Sequence, residues 1–137
     1  MIQKILCPTD GTDHSDIAVA YAAQLAAKCG ASLTICVVNI AHGGARGPVI
    51  HHWTNQEMTD KLERARTLAL ENGVAEVKQV DIVNREAAAG IVTYAEHNAY
   101  DQIVVGTGDK RGLSRLMLGS VAADVMARAH CTVTVAR

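Results

Sequence analysis

The stretch Asp101–Ser120, DQIVVGTGDKRGLSRLMLGS, decides the fold. Its opening apolar run, Ile103-Val104-Val105, is too short for a helix and β-branched enough for a buried strand. Gly106, Gly108 and Gly112 then surround a charged trio, Asp109-Lys110-Arg111. One apolar turn follows (Leu113, Leu116, Met117), then Gly119-Ser120 and a helical stripe of Val121, Ala122, Val125, Met126 and Ala129. A strand that ends in a glycine loop and feeds a helix opened by Gly-Ser is a phosphate-binding layout. Glycines let backbone N–H groups approach a ligand, and the unpaired N–H groups at a helix start attract anions. Ser120 adds a hydroxyl. The reading is a nucleotide whose phosphates lie across this loop.

Working outward, the same alternation recurs along the chain. Ile2 to Cys7 reads as a first strand, stopped by Pro8-Thr9-Asp10-Gly11. Thr12-Asp13-His14-Ser15 offers N-cap residues to a helix with Ile17, Ala18, Tyr21, Ala22, Leu25 and Ala26 on its inner face and Gly30 as its stop. Leu33 to Val38 is a second strand, parallel to the first because a whole helix separates them. Asn39 to Asn55 lacks periodicity and carries Gly43, Gly44, Gly47 and Pro48, so it reads as a mobile loop or lid. A second helix spans about Asn55 to Asn72, with Met58, Leu62, Ala65 and Ala69 inward. Val77 to Val83 reads as a more polar, edge strand. Asn84 is then expected to cap a third helix with Ala88, Ile91, Val92 and Ala95 inward. Cys131 to Ala136 forms the last strand. Strands alternating with helices throughout predict an α/β fold: an open five-stranded parallel sheet with right-handed crossovers and helices on both faces. Ligands of such sheets sit beyond the carboxyl ends of the strands where strand order reverses. The loops after the first and fourth strands, the richest in Gly, Asp, Thr and Ser, are the expected site.

Composition agrees with this class. The 137 residues are one domain's worth, and 49% hydrophobic residues suffice for one core. With no phenylalanine and 3% aromatics, that core is built from Val, Ile, Leu and Ala, as a β-branched sheet under alanine-rich helices requires. A net charge of −1 carries no footprint for nucleic acid or an anionic membrane. No apolar run approaches the roughly 18 residues of a membrane span, and MIQKILCPTD has no signal-peptide plan. Cys7, Cys29, Cys36 and Cys131 form no C-x-x-C pair and read as small core residues of a reducing, cytoplasmic protein.

ILCPTDGTDHSDIAVAYAAQLA at one end and GTGDKRGLSRLMLGSVAADVMARAHCTVTVAR at the other resemble the universal stress protein (UspA) family over essentially residues 1–137. The resemblance implies strand order 3-2-1-4-5, a Rossmann-like sheet and a homodimer formed through the last strand, Cys131 to Ala136. One branch of the family binds ATP and another has lost the site. In the ATP-binding branch the loop follows Gly-x-x-Gly, nine residues, then Gly-Ser or Gly-Thr. Gly106 and Gly119-Ser120 match at the right distance, while Asp109 occupies the middle glycine's position, one place after Gly108. The resemblance further implies that Asp10 meets the adenosine end; Pro8 and Thr9 beside it are also expected to bind the nucleotide. Val37 resembles the position that contacts adenine through its backbone, and Gly106, Gly119 and Ser120 resemble phosphate-loop positions, with Thr107, Gly108, Asp109, Arg111, Gly112 and Val121 the further residues expected to bind the nucleotide. A carboxylate a few ångströms from a phosphate is repulsive by about 1–4 kcal/mol, depending on the dielectric. Lys110, Arg111 and Arg115 can offset Asp109, or Asp109 can hold a Mg²⁺ that bridges phosphates. The expected function is a stress-response regulator that binds ATP or a related adenine nucleotide and signals through its dimer or a protein partner. The alternative is a nucleotide-free dimeric interaction module whose phosphate site Asp109 disables.

Other motifs carry less. Gly106-x-Gly108-x-x-x-Gly112 follows the fourth strand, not the first, so it is not a dinucleotide fingerprint, and no Gly-Lys-Ser/Thr of a P-loop exists. His42, His51 and His52 fall in the loop with no spaced cysteine or carboxylate beside them, a surface pattern more than a metal site. Trp53 beside them fits a lid over a ligand and a dimer contact equally. Glu63, Arg64 and Arg66 read as a solvated helix face. No GxSxG and no nucleophile with an assignable base emerges, so a dedicated enzyme is not expected; slow hydrolysis of bound ATP is compatible with the layout.

Overall fold

In the computed structural model, which describes residues 1–108 and 118–137, the first strand β1 (Lys4–Pro8) lies at the centre of the sheet. Helix α1 (Asp13–Cys29) starts from the Thr12 cap, whose side chain accepts the Ser15 N–H, and stops at Gly30 in the left-handed region (φ 68°). The chain then returns as β2 (Ser32–Gly43) parallel to β1, with Pro8 opposite Cys36. A capping box between Thr54 and Glu57 opens α2 (Asn55–Glu71), and β4 (Val77–Asn84) lies beyond β2 as an edge strand. After α3 (Ala87–His97), β5 (Gln102–Gly106) crosses to the other side of β1. Helix α4 (Ser120–Arg128) leads to β6 (Thr132–Ala136), which pairs with β5 and ends the sheet.

The five parallel strands therefore run β4-β2-β1-β5-β6, the expected 3-2-1-4-5 order. Alternate residues of the strands point to opposite faces. Ile5, Cys7, Leu33 and Ile35 pack under α1 and α2, while Leu6, Cys36, Ile103 and Val105 pack under α3 and α4. The central strands β1, β2 and β5 are thus buried on both faces, which is why they read as continuous apolar runs.

Several expectations need correction. The Asn39–Asn55 segment is not a loop throughout. Asn39–Gly43 extends β2, and a sixth, antiparallel strand β3 (Val49–His51) folds back on it, pairing Ala41 with His51 and Gly43 with Val49. The inner face of α1 is rotated from the predicted one: Ser15, Ala18, Val19, Ala22, Ala23 and Ala26 are buried, while Ile17 and Tyr21 are exposed. Small residues win that face because the helix lies close on the sheet. Val121 and Met126 of α4 are likewise exposed, and Ala122 and Val125 buried. Asn84 ends β4 and accepts the Glu86 N–H at 3.0 Å; Glu86 itself is the α3 cap. Cys7 and Cys36 are core residues, but Cys29 is exposed and Cys131 only partly covered.

Candidate functional site

The chain leaves β1 toward β2 on one side and, after β4, crosses back through α3 to place β5 on the other side of β1, so a crevice opens at the carboxyl ends of these strands. A cavity of about 370 Å³ occupies it. Pro8, Thr9 and Asp10 line it from the loop after β1, and Val105, Gly106 and Gly108 from the end of β5. Gly119, Ser120, Val121 and Ala122 line it from the start of α4.

The wall after β1 is knit by short side chains. The Thr9 and Ser15 hydroxyls share a 3.0 Å hydrogen bond, the Gly11 N–H donates to Thr9 Oγ1 at 3.2 Å, and the Ser15 hydroxyl donates to the Thr12 carbonyl at 2.9 Å. Asp10 Oδ1 accepts from the Thr12 hydroxyl at 2.6 Å and from the Thr12 N–H at 3.0 Å. Partial burial pushes the Asp10 carboxyl up, but the hydrogen bonds from Thr12 and Ser15 outweigh it and hold the pKa below the usual carboxylate range. The rim therefore presents a fixed anionic acceptor, suited to hydroxyl donors.

The glycines are here because backbone passes backbone. A Cβ on Gly106 would fall 2.9 Å from the His14 carbonyl carbon, and one on Gly119 would fall 2.6 Å from the Thr107 oxygen. That same oxygen accepts the Gly119 N–H at 2.7 Å, which pins the start of α4 against the end of β5. In α4 the first N–H bonded within the helix is that of Ala123, to the Gly119 carbonyl. The N–H groups of Ser120, Val121 and Ala122 thus lie at a helix start, without acidic residues in that turn. Helices α1 and α3 also begin at the cavity, through Thr12, His14, Ser15 and Ala87. Three helix starts converge on one hollow, where their dipoles favour negative charge.

Opposite the glycines the wall is the edge of β2. The Thr9 N–H donates to the Cys36 carbonyl at 2.8 Å, and the Ile40 carbonyl accepts the His52 N–H at 2.8 Å, both on the same edge. Backbone groups alternate sides along a strand, so the residue between them that faces this edge is Val38. Its N–H and C=O look into the hollow between the end of β1 and the end of β3. Val38 and Ile40 line the cavity, together with His52 and Trp53 from the chain after β3. The expected adenine contact, Val37, is fully buried, pairs with Asp81 of β4 and does not line the cavity. The correction is one residue, and one residue reverses the side.

Of the residues singled out in the sequence, Pro8, Thr9, Asp10, Gly106, Gly108, Gly119, Ser120 and Val121 meet at the cavity. Thr107 lies beneath it, 3% exposed, serving through its carbonyl. Asp109, Arg111 and Gly112, with Lys110 and Arg115, lie outside the described residues. His14, Ser15, Val38, Ile40 and Ala87 were missed. Among the described residues no group of three His, Cys, Asp or Glu side chains is placed to hold a metal ion. No described helix is long and apolar enough to cross a membrane.

Residues 1–137 match the model of the universal stress protein family over their whole length. The chain belongs to this family. It is 33% identical over 143 residues to a universal stress protein of Methanocaldococcus jannaschii, covering all of this chain and 83% of that one. It is 31% identical over 150 residues to a universal stress protein of Bacillus subtilis, with both chains fully covered. Among solved structures, a universal stress protein in complex with cAMP superposes with a TM-score of 0.76 at 29% identity, covering 98% of this chain and 96% of that one. The universal stress protein of Archaeoglobus fulgidus in complex with dAMP shares the fold, with a TM-score of 0.70 at 22% identity, covering 100% and 98%. Family neighbours therefore bind adenine nucleotides in this architecture.

Proposed function

We propose that this chain is a stress-response regulator that binds ATP or a related adenine nucleotide in the cavity between β1, β2 and β5. The observation that carries the reading is the convergence of three helix starts and of the two backbone crossings, Gly106 over His14 and Gly119 over Thr107, on one hollow at the strand-order reversal. In this reading the phosphates lie over the N–H groups of Ser120, Val121 and Ala122. Asp10 accepts from the ribose hydroxyls, and the Val38 N–H and C=O meet the base edge. A donor beside an acceptor is the complement of adenine's amino group and neighbouring ring nitrogen. Complexes with cAMP and dAMP among the structural neighbours support the adenine assignment. ATP is the nucleotide favoured by the loop spacing, with Mg²⁺ as its counter-ion.

The chain holds the nucleotide rather than consuming it. Turnover above about 1 s⁻¹, the low end of ordinary enzymes, would refute that. Occupancy changes behaviour only if two conformations bind nucleotide unequally. The dimer proposed for transmission uses β6, which among the described residues pairs on one side alone, with β5, and offers its other side as a ladder to a second copy. A monomeric mass by light scattering at working concentration overturns that part. Binding itself is tested by isothermal titration of nucleotide-freed protein with ATP and Mg²⁺, beside Asp109→Gly. A Kd on the order of micromolar in the parent supports the reading. Binding only in Asp109→Gly means a site switched off at one residue, and silence in both favours the nucleotide-free module.

A further inference from the structure

The nucleotide reading accounts for the glycines and helix starts but leaves Trp53 unexplained. This is the chain's single tryptophan, in a protein with no phenylalanine. It belongs to neither hydrophobic core cluster, and it is only partly buried. Yet its backbone is fixed firmly. The amide of Asn39, 2% exposed, donates to the Trp53 carbonyl at 2.9 Å and accepts the Trp53 N–H at 2.8 Å. A buried amide closing a two-bond ring on one residue's backbone sets that residue's position tightly.

The path to Trp53 is equally telling. All residues of β3 are exposed, so the three-residue strand gains little burial by forming. What it does is turn the chain at the end of β2 and deliver His52 and Trp53 to the mouth of the cavity. There the two rings stand 5.1 Å apart, tilted by 53°. Lys61 lies with its Nζ 4.8 Å from the centre of the indole. Trp53 lines the cavity, whereas Lys61, the cation against its ring, does not.

Resting on the nucleotide reading above, we propose that Trp53, flanked by His52, is the base-specificity element of this site: an aromatic wall that takes the face of a purine. The β2 edge at Val38 reads the base's rim, and the indole reads its area. Stacking on an aromatic side chain scales with ring overlap, so a purine is favoured over a pyrimidine bearing the same ribose and phosphates. The antiparallel strand β3 is the device that supplies this wall.

Trp53 is also its own probe, since no other tryptophan contributes to emission. The test titrates nucleotide-freed wild-type protein with ATP, UTP and inorganic tripolyphosphate, reading heat and tryptophan fluorescence in parallel. Trp53→Ala and Trp53→Phe are titrated by heat alone. The expected result is ATP binding with a change in Trp53 emission, weaker binding of UTP, and no emission change with tripolyphosphate. Trp53→Ala weakens ATP about 5- to 100-fold and Trp53→Phe less than about fivefold, as loss or retention of one stacked ring requires. If wild type binds ATP while its emission is unmoved and Trp53→Ala binds equally well, the aromatic wall is overturned and the nucleotide site stands. Equal binding of ATP and UTP overturns it too. If wild type binds no nucleotide by heat, the functional reading itself fails and takes the wall with it.

Discussion

Replacing Gly106 by alanine tests the central geometric statement, that the end of β5 and the first turn of α1 touch backbone to backbone. The added Cβ would sit 2.9 Å from the His14 carbonyl carbon, closer still to its oxygen, and 3.3 Å from the Ser15 nitrogen. None of these atoms can rotate away. Either β5 must leave its register with Ala136 or the first turn of α1 must move. Helix α1 is held by the Thr9–Ser15–Thr12 hydrogen bonds and by five buried residues, Ala18, Val19, Ala22, Ala23 and Ala26. Overpacking of this kind costs about 1–3 kcal/mol. Loss of the Thr9–Ser15 bond adds about 0.5–1.5 kcal/mol.

Gly106→Ala should therefore lose about 2–4 kcal/mol, a large share of a total stability of about 5–15 kcal/mol. At roughly 3–5 °C per kcal/mol for a chain of this size, the Tm falls by about 6–20 °C. Two other glycines calibrate the effect. Gly30 has φ 68° and open space around its Cβ position, so alanine there meets only left-handed backbone strain, about 1 kcal/mol. Gly47 has open space and no such φ, and alanine there should stay within about 0.5 kcal/mol of wild type. Urea unfolding of the three variants should rank them Gly106, Gly30, Gly47. A Gly106→Ala midpoint indistinguishable from that of Gly47→Ala would refute the close approach, and with it the rigid phosphate wall.

Asn39→Ala should cost about 2–3 kcal/mol by chemical denaturation, because two hydrogen bonds disappear and the Trp53 backbone groups lose their partners; Trp53 emission should shift to the red, and an unshifted spectrum would mean that the amide does not hold the indole. Burial raises both core thiols, Cys36 to about 12 and Cys7 further still with the nearby Cys36 charge opposing its ionisation, so neither is a thiolate at neutral pH. Mass-resolved labelling of native protein should then modify exposed Cys29 first and leave Cys7 and Cys36 untouched until unfolding. Asp10 is held below the ordinary carboxylate range when folded, so its contribution to stability is complete above its unfolded pKa of roughly 3.9 and is lost as pH falls through the folded value. The difference in urea midpoint between wild type and Asp10→Asn should accordingly shrink from pH 6 to pH 3; a difference constant across that range would contradict the hydrogen-bonded carboxylate.

The alternation of strands and helices was legible because the central parallel strands β1, β2 and β5 are buried on both faces, and such strands carry an unbroken apolar signal. The glycine crossings were legible for a similar reason. Only glycine fits where Gly106 meets His14 or Gly119 meets Thr107, so the residue type announces the contact without naming the partner. Helix faces were harder. In α1 the large apolar residues Ile17 and Tyr21 drew the prediction, whereas close packing on the sheet selected the small set of Ala18, Ala22, Ala23 and Ala26. Hydrophobicity ranks side chains by size, and close approach selects against size.

The β2 edge shows why the most informative part of the site lay below the resolution of pattern reading. Asn39 is polar, and Gly43-Gly44 follows it, so the segment scored as loop; its amide is nonetheless 2% exposed because it satisfies the backbone of Trp53, a residue fourteen positions away. No local periodicity encodes that. The same limit separates Val37 from Val38. Both are apolar, both lie in the strand, and neither differs in propensity. Only the register, fixed by Thr9 to Cys36 at one end and His52 to Ile40 at the other, decides which backbone faces the hollow. Since strand partners on one edge stop at Cys36 and resume at Ile40, the opening is one residue's backbone wide, and the width of the opening is itself set by where β3 ends. An insertion or deletion between Gly43 and Val49 would leave the five-stranded sheet intact and still move the wall that faces the ligand. The fold is thus carried by the apolar pattern, and the selectivity proposed for it by a hairpin that the pattern does not record.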